Sequence, residues 1–383
     1  MLPNVALRRA RLAAMGALQG AAAAAAPSEK ELRVQATQAF VVREPVSRRA
    51  YTVVRLRTFS GVTGYGECAG DQRAEVARAT AVIEQPATSY QVLASRLEEL
   101  GGVGAAINMA LLDIVGKAAK APVYQVLGGP TRFKARALAP LKGESDAALI
   151  GSMKQALSAG YRAFTVPAPP VTFRNQGQAW VLATRKRLEA LRSAGGEQVD
   201  FVLDGAGRFV PGDAAMAAAD LEKFHLLWFD EPCPYLNLGA VKKIAGESVT
   251  PLGFGRNMRS GADFQNLLRE DAIDVIRPDI SLNGISAIRR WAVIAETYYV
   301  AVAPYHDGGP IATAAALHLA ASLPNFFIQQ IPLPEAEQDR RMRAEIAGAG
   351  LETVKDGFAA LPTGPGLGIT VNEEALKKYR EAA

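Results

Sequence analysis

Three charged side chains close three apolar runs at a fixed interval. Asp204 ends the run 199–204, Asp230 ends 226–230, and Arg256 ends 250–256. Asp204 and Asp230 are 26 residues apart, and so are Asp230 and Arg256. A step of that length holds one strand, one turn, one helix and a return loop, so each step is one βα unit. Side chains at equivalent places in successive units meet at the C-terminal mouth of a parallel barrel. Three carboxylates there would make a hard oxygen site suited to Mg²⁺. Here the third member is a guanidinium, which has no acceptor atom and carries a permanent charge. Its expected place is between Asp204 and Asp230, as a fixed cation where an ion would sit. The plainer alternative makes each Asp a strand-end helix cap and turns Arg256 to solvent. Of three histidines, His225 and His318 fall in helical patterns, and His306 follows the apolar run 300–304. An imidazole has the intrinsic pKa of a general base at neutral pH.

These side chains need a scaffold of alternating strands and helices. From residue 136 strands read at 136–140, 162–167, 199–204, 226–230, 251–255, 273–277, 300–304 and 326–330, with amphipathic or alanine-rich helices between them. Eight strands with crossovers describe a (β/α) barrel. Before it, 34–40 and 51–58 alternate like antiparallel strands, and Gly61–Cys68 is a glycine-rich turn and strand. Helical patterns follow at 74–83, 91–100 and 104–119, the last stopped by Pro122. The expected organisation is an α+β domain over 31–135, a (β/α) barrel over 136–350, and a C-terminal segment, 351–383.

Length and composition suit an ordinary globular protein: 383 residues, 49% hydrophobic and 21% charged. Three of the five net positive charges are Arg8, Arg9 and Arg11, in a stretch without acidic residues. The remaining +2 argues for neither a nucleic acid nor an anionic membrane as partner. Residues 1–26 read as an export signal: Arg8-Arg9, an alanine-rich apolar run, and Ala24-Ala25-Ala26 as a small-residue cleavage site. The run is too short for a membrane span. Periplasmic export by a twin-arginine route is expected, with cytoplasmic residence as the alternative. Cys68 and Cys233 give no indication of a disulfide.

Several stretches carry a family resemblance: Gly64-Tyr-Gly-Glu67, then Ala110-Leu-Leu-Asp113-Ile-Val-Gly116-Lys117 with Leu127-Gly-Gly129, Trp228-Phe-Asp230-Glu231-Pro232, Arg277-Pro-Asp279-Ile-Ser281 and Pro365-Gly-Leu-Gly368. From about residue 31 to its C-terminus the chain resembles the mandelate racemase and muconate lactonizing branch of the enolase superfamily, most of all its sugar-acid dehydratases. The resemblance implies an enolase-type barrel under an N-terminal α+β capping domain, residues 31–135, with the C-terminal segment, 351–383, packing on the cap. It implies three carboxylates on Mg²⁺, and a base that removes the proton next to a substrate carboxylate. That base is a lysine on the second strand or a histidine on the seventh, the histidine held by an aspartate on the sixth.

Laid on this chain, Asp204 and Asp230 match the first two metal ligands and Arg256 stands at the third. Thr165 stands near the lysine base, with Pro167 near its companion. Asp279 matches the sixth-strand aspartate. At the seventh strand the local match around Ala303-Pro304 puts Tyr305 at the base position, whereas counting 27 residues from Asp279 puts His306 there. Neighbouring strand residues point to opposite faces, so the two alignments have different consequences. Gln330 stands where an acidic residue is usual.

Three functional readings stay open. In one, the chain keeps the fold and a pocket for a small carboxylate or sugar acid, but has neither Mg²⁺ nor the proton abstraction. In another, it is a lyase or isomerase in which Arg256 replaces the metal charge and His306 or Tyr305 moves the proton. In the third, it is an ordinary Mg²⁺-dependent dehydratase or racemase. A homo-oligomer suits any of them.

Overall fold

The computed structural model describes residue 28 and residues 31–170 and 177–380. The run holding Arg8, Arg9 and the alanines lies outside the described residues, so the export signal is not part of this structure.

The cap begins with an antiparallel sheet of β1 (Val34–Arg43), β2 (Ala50–Thr58) and β3 (Thr63–Ala69), ordered β1-β2-β3. Its alternating residues face the helix Gly102–Ala118, which is buried along most of its length. The glycine spacing of β3 has a steric cause. A Cβ at Gly66 would lie 1.8 Å from the Ala106 carbonyl oxygen, and one at Gly64 would lie 2.1 Å from that of Ala110. Only glycine lets the strand come this close to the helix. The expected helix 74–83 is shorter than its pattern. It ends at Arg78 and passes into a 3-10 turn, Thr80–Val82, before Glu84 at φ 61° and Pro86.

Eight parallel strands follow: β4 (Lys134–Pro140), β5 (Ala163–Pro167), β6 (Asp200–Asp204), β7 (Trp228–Asp230), β8 (Leu252–Phe254), β9 (Val275–Ile276), β10 (Ala301–Val302) and β11 (Gln329–Gln330). Each pairs with the next from β4 to β10. β11 pairs with β4, and a bridge from Val302 to Phe326 joins the last two strands. The sheet therefore closes, and all eight strands expected from the sequence are present. A hairpin of β12 (Val354–Lys355) and β13 (Phe358–Ala360) adds to β4 antiparallel.

One buried layer fills the barrel: Leu138, Ala163, Val202, Trp228, Val275, Ala303 and Ile328. Side chains two residues further along each strand share this face, one layer nearer the mouth. Those residues are Pro140, Thr165, Asp204, Asp230, Arg277, Tyr305 and Gln330. The barrel core thus aims the candidate site.

The C-terminal segment divides its contacts. The β12–β13 hairpin belongs to the barrel sheet, while the helix Glu373–Lys378 returns to the cap, where Glu373 meets Arg55 (2.6 Å) and the Tyr65 hydroxyl (2.5 Å). Asp113 joins cap and tail, accepting from the amides of Tyr65 (3.0 Å) and Leu367 (2.8 Å) beside Lys117 (2.7 Å). Cys68 and Cys233 are buried free thiols. No described helix is long and apolar enough to cross a membrane.

Candidate functional site

The mouth is built on crossed ion pairs. Asp204 and Asp230 are register partners on β6 and β7. Arg256 follows Gly255, whose φ of +139° turns the chain at the end of β8. That turn lets the guanidinium come back over the barrel. Its fork grips both oxygens of Asp204, Nη1 at 3.0 Å from Oδ2 and Nη2 on Oδ1, while Nε lies 3.4 Å from Oδ2 of Asp230. The facing carboxylates push its pKa upward, against the effect of burial. From below, the fully buried Arg277 reaches Asp230 with Nε (3.1 Å) and Nη2 (3.4 Å). It also donates to the Ala303 carbonyl (3.0 Å) and to Gln330 Oε1 (3.2 Å). The Trp228 indole N–H donates to Asp230 Oδ1 (2.8 Å). Glu231 accepts from the amides of Gly255 (2.7 Å) and Arg256 (2.9 Å), which fixes the start of the Arg256 loop.

Above these pairs lies a cavity of about 510 Å³ whose wall includes Glu231, Tyr235, Arg256, Asn257, Asp279 and Tyr305. Tyr305 pairs across a bridge with Asp279. Both Arg256 and Arg277 stand over its ring, at 5.3 and 5.6 Å from the centroid. Burial pushes its hydroxyl up to about 12 and the Asp279 carboxyl up to about 7. Asp279 Oδ1 caps the following helix through the Ser281 amide (2.7 Å).

Other candidates do not reach the cavity wall. His306 is wholly buried and points away from the barrel interior. Its Nε2 meets Thr313 Oγ1 (2.8 Å), which donates to Glu352 (2.6 Å). Burial, with Arg343 and Arg49 nearby, holds its pKa well below the ordinary value. The expected Asp279–His306 pairing is not formed, because strand alternation sends Tyr305 inward and His306 outward. Thr165 faces the interior, but its hydroxyl is buried and has no hydrogen-bond partner. Gln330 faces inward too, held between Arg277 and the His306 carbonyl (2.9 Å). Sequence reasoning gave no role to Arg277 or Glu231. Arg277 sits two residues after the inward-facing Val275, a signal that was available. Glu231 depends on the turn after β7, where its own φ is 46°, and no alternation rule reaches it.

Comparison with known proteins places this architecture. Residues 31–128 match the model of the mandelate racemase/muconate lactonizing enzyme N-terminal domain, and 148–375 that of the enolase C-terminal domain-like family. The chain belongs to the mandelate racemase/muconate lactonizing enzyme family. It is 32% identical over 287 residues to the D-galactonate dehydratase of Verminephrobacter eiseniae (strain EF01-2), covering 72% of this chain and 73% of that one. With the D-galactonate dehydratase of Ralstonia pickettii (strain 12J) identity is 30% over 354 residues, covering 86% and 91%. Among solved structures, the mandelate racemase/muconate lactonizing enzyme-like protein of Roseovarius sp. TM1035 superposes with a TM-score of 0.81 at 24% identity, over 92% of this chain and 96% of that one. The family protein of Jannaschia sp. CCS1 gives 0.82 at 24%, over 92% and 98%. These two likenesses concern the fold.

Membership in the mandelate racemase/muconate lactonizing enzyme family raises the question of Mg²⁺. The arrangement does not fit the ion. Both oxygens of Asp204 are held by Arg256, and those of Asp230 by Arg256, Arg277 and Trp228. Among the described residues no group of three or more His, Cys, Asp or Glu side chains is placed to hold a metal. A guanidinium beside the site would also repel a divalent cation.

Proposed function

We propose that this family member binds a small organic ligand at the barrel mouth without Mg²⁺ and without the family's metal-assisted proton abstraction. The observation that carries the reading is Arg256, whose fork and Nε take up the two carboxylates on which an ion would depend. The missing base supports it. Thr165 stands at the lysine position, and His306 is turned away from the barrel interior, toward Thr313 behind the strands. The relatives named for D-galactonate suggest a ligand the size of a six-carbon sugar acid. The cavity lies within the range of about 300–1,000 Å³ usual for small-molecule sites.

A metal-free lyase or isomerase is the second reading, and one observation favours it. Asp279 faces the cavity with a carboxyl pushed up to about 7, which suits a general base near neutral pH. In that reading Asp279 takes the place first given to His306, and Tyr305, at about 12, is too weak an acid to be a ready base. Incubation of sugar acids in D₂O with EDTA separates the two. The ligand-binding reading expects no deuterium at the α-carbon. Exchange that survives EDTA and disappears in Asp279→Asn would replace it with the metal-free enzyme.

A further inference from the structure

Matching each charge at the mouth to its partner leaves a remainder. Asp204 and Asp230 are matched by Arg256 and Arg277. Asp307 is matched by Arg49 at 2.7 Å. Glu231 and Asp279 are not matched. Their hydrogen bonds come from backbone amides alone, those of Gly255 and Arg256 for Glu231 and that of Ser281 for Asp279. Neither makes an ion pair among the described residues. Glu231 is 5% exposed, its Oε2 has no hydrogen-bond partner among the described residues, and the residue forms part of the cavity wall.

Arg256 is a poor receptor for a third carboxylate, because its fork is paired with Asp204 and its Nε faces Asp230. Arg208, the nearby exposed cation, bonds back to the Gly205 carbonyl (3.4 Å) and is not part of the wall. A ligand carboxylate would therefore enter a cavity walled by two carboxyl groups that have no ion-pair partner among the described residues, where like charges repel at short range. Two tyrosine rings complete the wall. That of Tyr305 already attracts two guanidinium groups to its face, and an aromatic wall favours a cation over an anion.

We propose that the mouth takes a small ligand bearing a protonated amine, held between Glu231 and Asp279 against Tyr235 and Tyr305. The inference rests on the metal-free reading above, since a bound divalent cation would draw in an anion instead.

Three probes with one carbon skeleton test it. Glucamine carries an ammonium at C1, sorbitol a hydroxyl and gluconate a carboxylate. Titration calorimetry with each, near neutral pH and in EDTA, should rank glucamine first, about tenfold or more tighter than sorbitol, with gluconate weakest. Asp279→Asn and Glu231→Gln should each bring the glucamine constant toward that of sorbitol, with a cooperative melting transition in each variant as the control for folding. Gluconate binding as tightly as glucamine in EDTA overturns the inference. So does equal binding of sorbitol and glucamine, or no binding of glucamine at millimolar concentration. If gluconate instead binds only when Mg²⁺ replaces EDTA, the metal-free reading itself has failed.

Discussion

Arg277→Met removes the buried cation beneath the site and tests whether the ion cluster is built as described. Both members of the Arg277–Asp230 pair are fully buried. Removing one partner of such a pair leaves an uncompensated charge, at a cost of about 3–5 kcal/mol. Asp230 would keep the Trp228 N–H at 2.8 Å and the more distant Arg256 Nε at 3.4 Å, which pulls the expectation to the lower half of that range. The Ala303 carbonyl and Gln330 Oε1 would each lose a donor, and an unsatisfied buried acceptor costs about 1–3 kcal/mol. The net expectation is a loss of about 5 kcal/mol or more. The assay is urea unfolding of Arg277→Met, Asp230→Asn and the double variant, with slopes compared so that changes in the midpoint report stability. Side chains in one network do not act independently, so the double variant should be more stable than the sum of the singles implies, by about 1 kcal/mol or more. A cost below about 1 kcal/mol for Arg277→Met, or single effects that add within about 0.5 kcal/mol, would refute the reasoning.

Other outcomes follow from other parts of the molecule. Glu67 of the cap accepts from the amides of Gly309 and Ile311 at the start of the helix Pro310–Ser322, and burial lifts its carboxyl from 4.5 to about 7. The native protein then holds a proton that the unfolded chain has released, so its contribution to stability is lost as pH climbs from about 4.5 to about 7; Glu67→Gln should flatten that part of the profile, and an unchanged slope would count against it. Gly66→Ala should cost at least ~3 kcal/mol, since the 1.8 Å approach to Ala106 involves backbone that cannot step aside; a melting curve like that of the wild type would contradict the close packing. For the leader we propose twin-arginine export: cell fractionation should find the protein in the periplasm, and Arg8→Lys with Arg9→Lys should hold it in the cytoplasm. A cytoplasmic location in both cases sinks that proposal.

The scaffold was legible because barrel strands have apolar bodies and charged ends, and because 26-residue steps bring Asp204, Asp230 and Arg256 to one place. The seventh strand was harder. Two counts gave two residues, and alternation from Ala303 decides it, since Tyr305 shares the inward face and His306 does not. Arg277 opens the stretch Arg277-Pro-Asp279, but a long side chain reaching across the barrel from β9 to β7 has no local signature. The cap–barrel joint was hidden for the same reason. Arg343, buried between Glu44 (2.9 Å) and Glu352 (2.6 Å), joins residues almost 300 positions apart, and nothing in the local pattern of any of them announces the contact.

Calorimetric titration of the wild-type protein with Mg²⁺, beside Arg256→Glu, tests the central claim most directly. The variant removes the guanidinium and returns a third oxygen ligand. The account predicts no saturable heat for the wild type at millimolar Mg²⁺ and measurable one-site binding for Arg256→Glu. Saturable one-to-one Mg²⁺ binding by the wild type would contradict it, because Asp204 and Asp230 would then have to leave Arg256 for the ion.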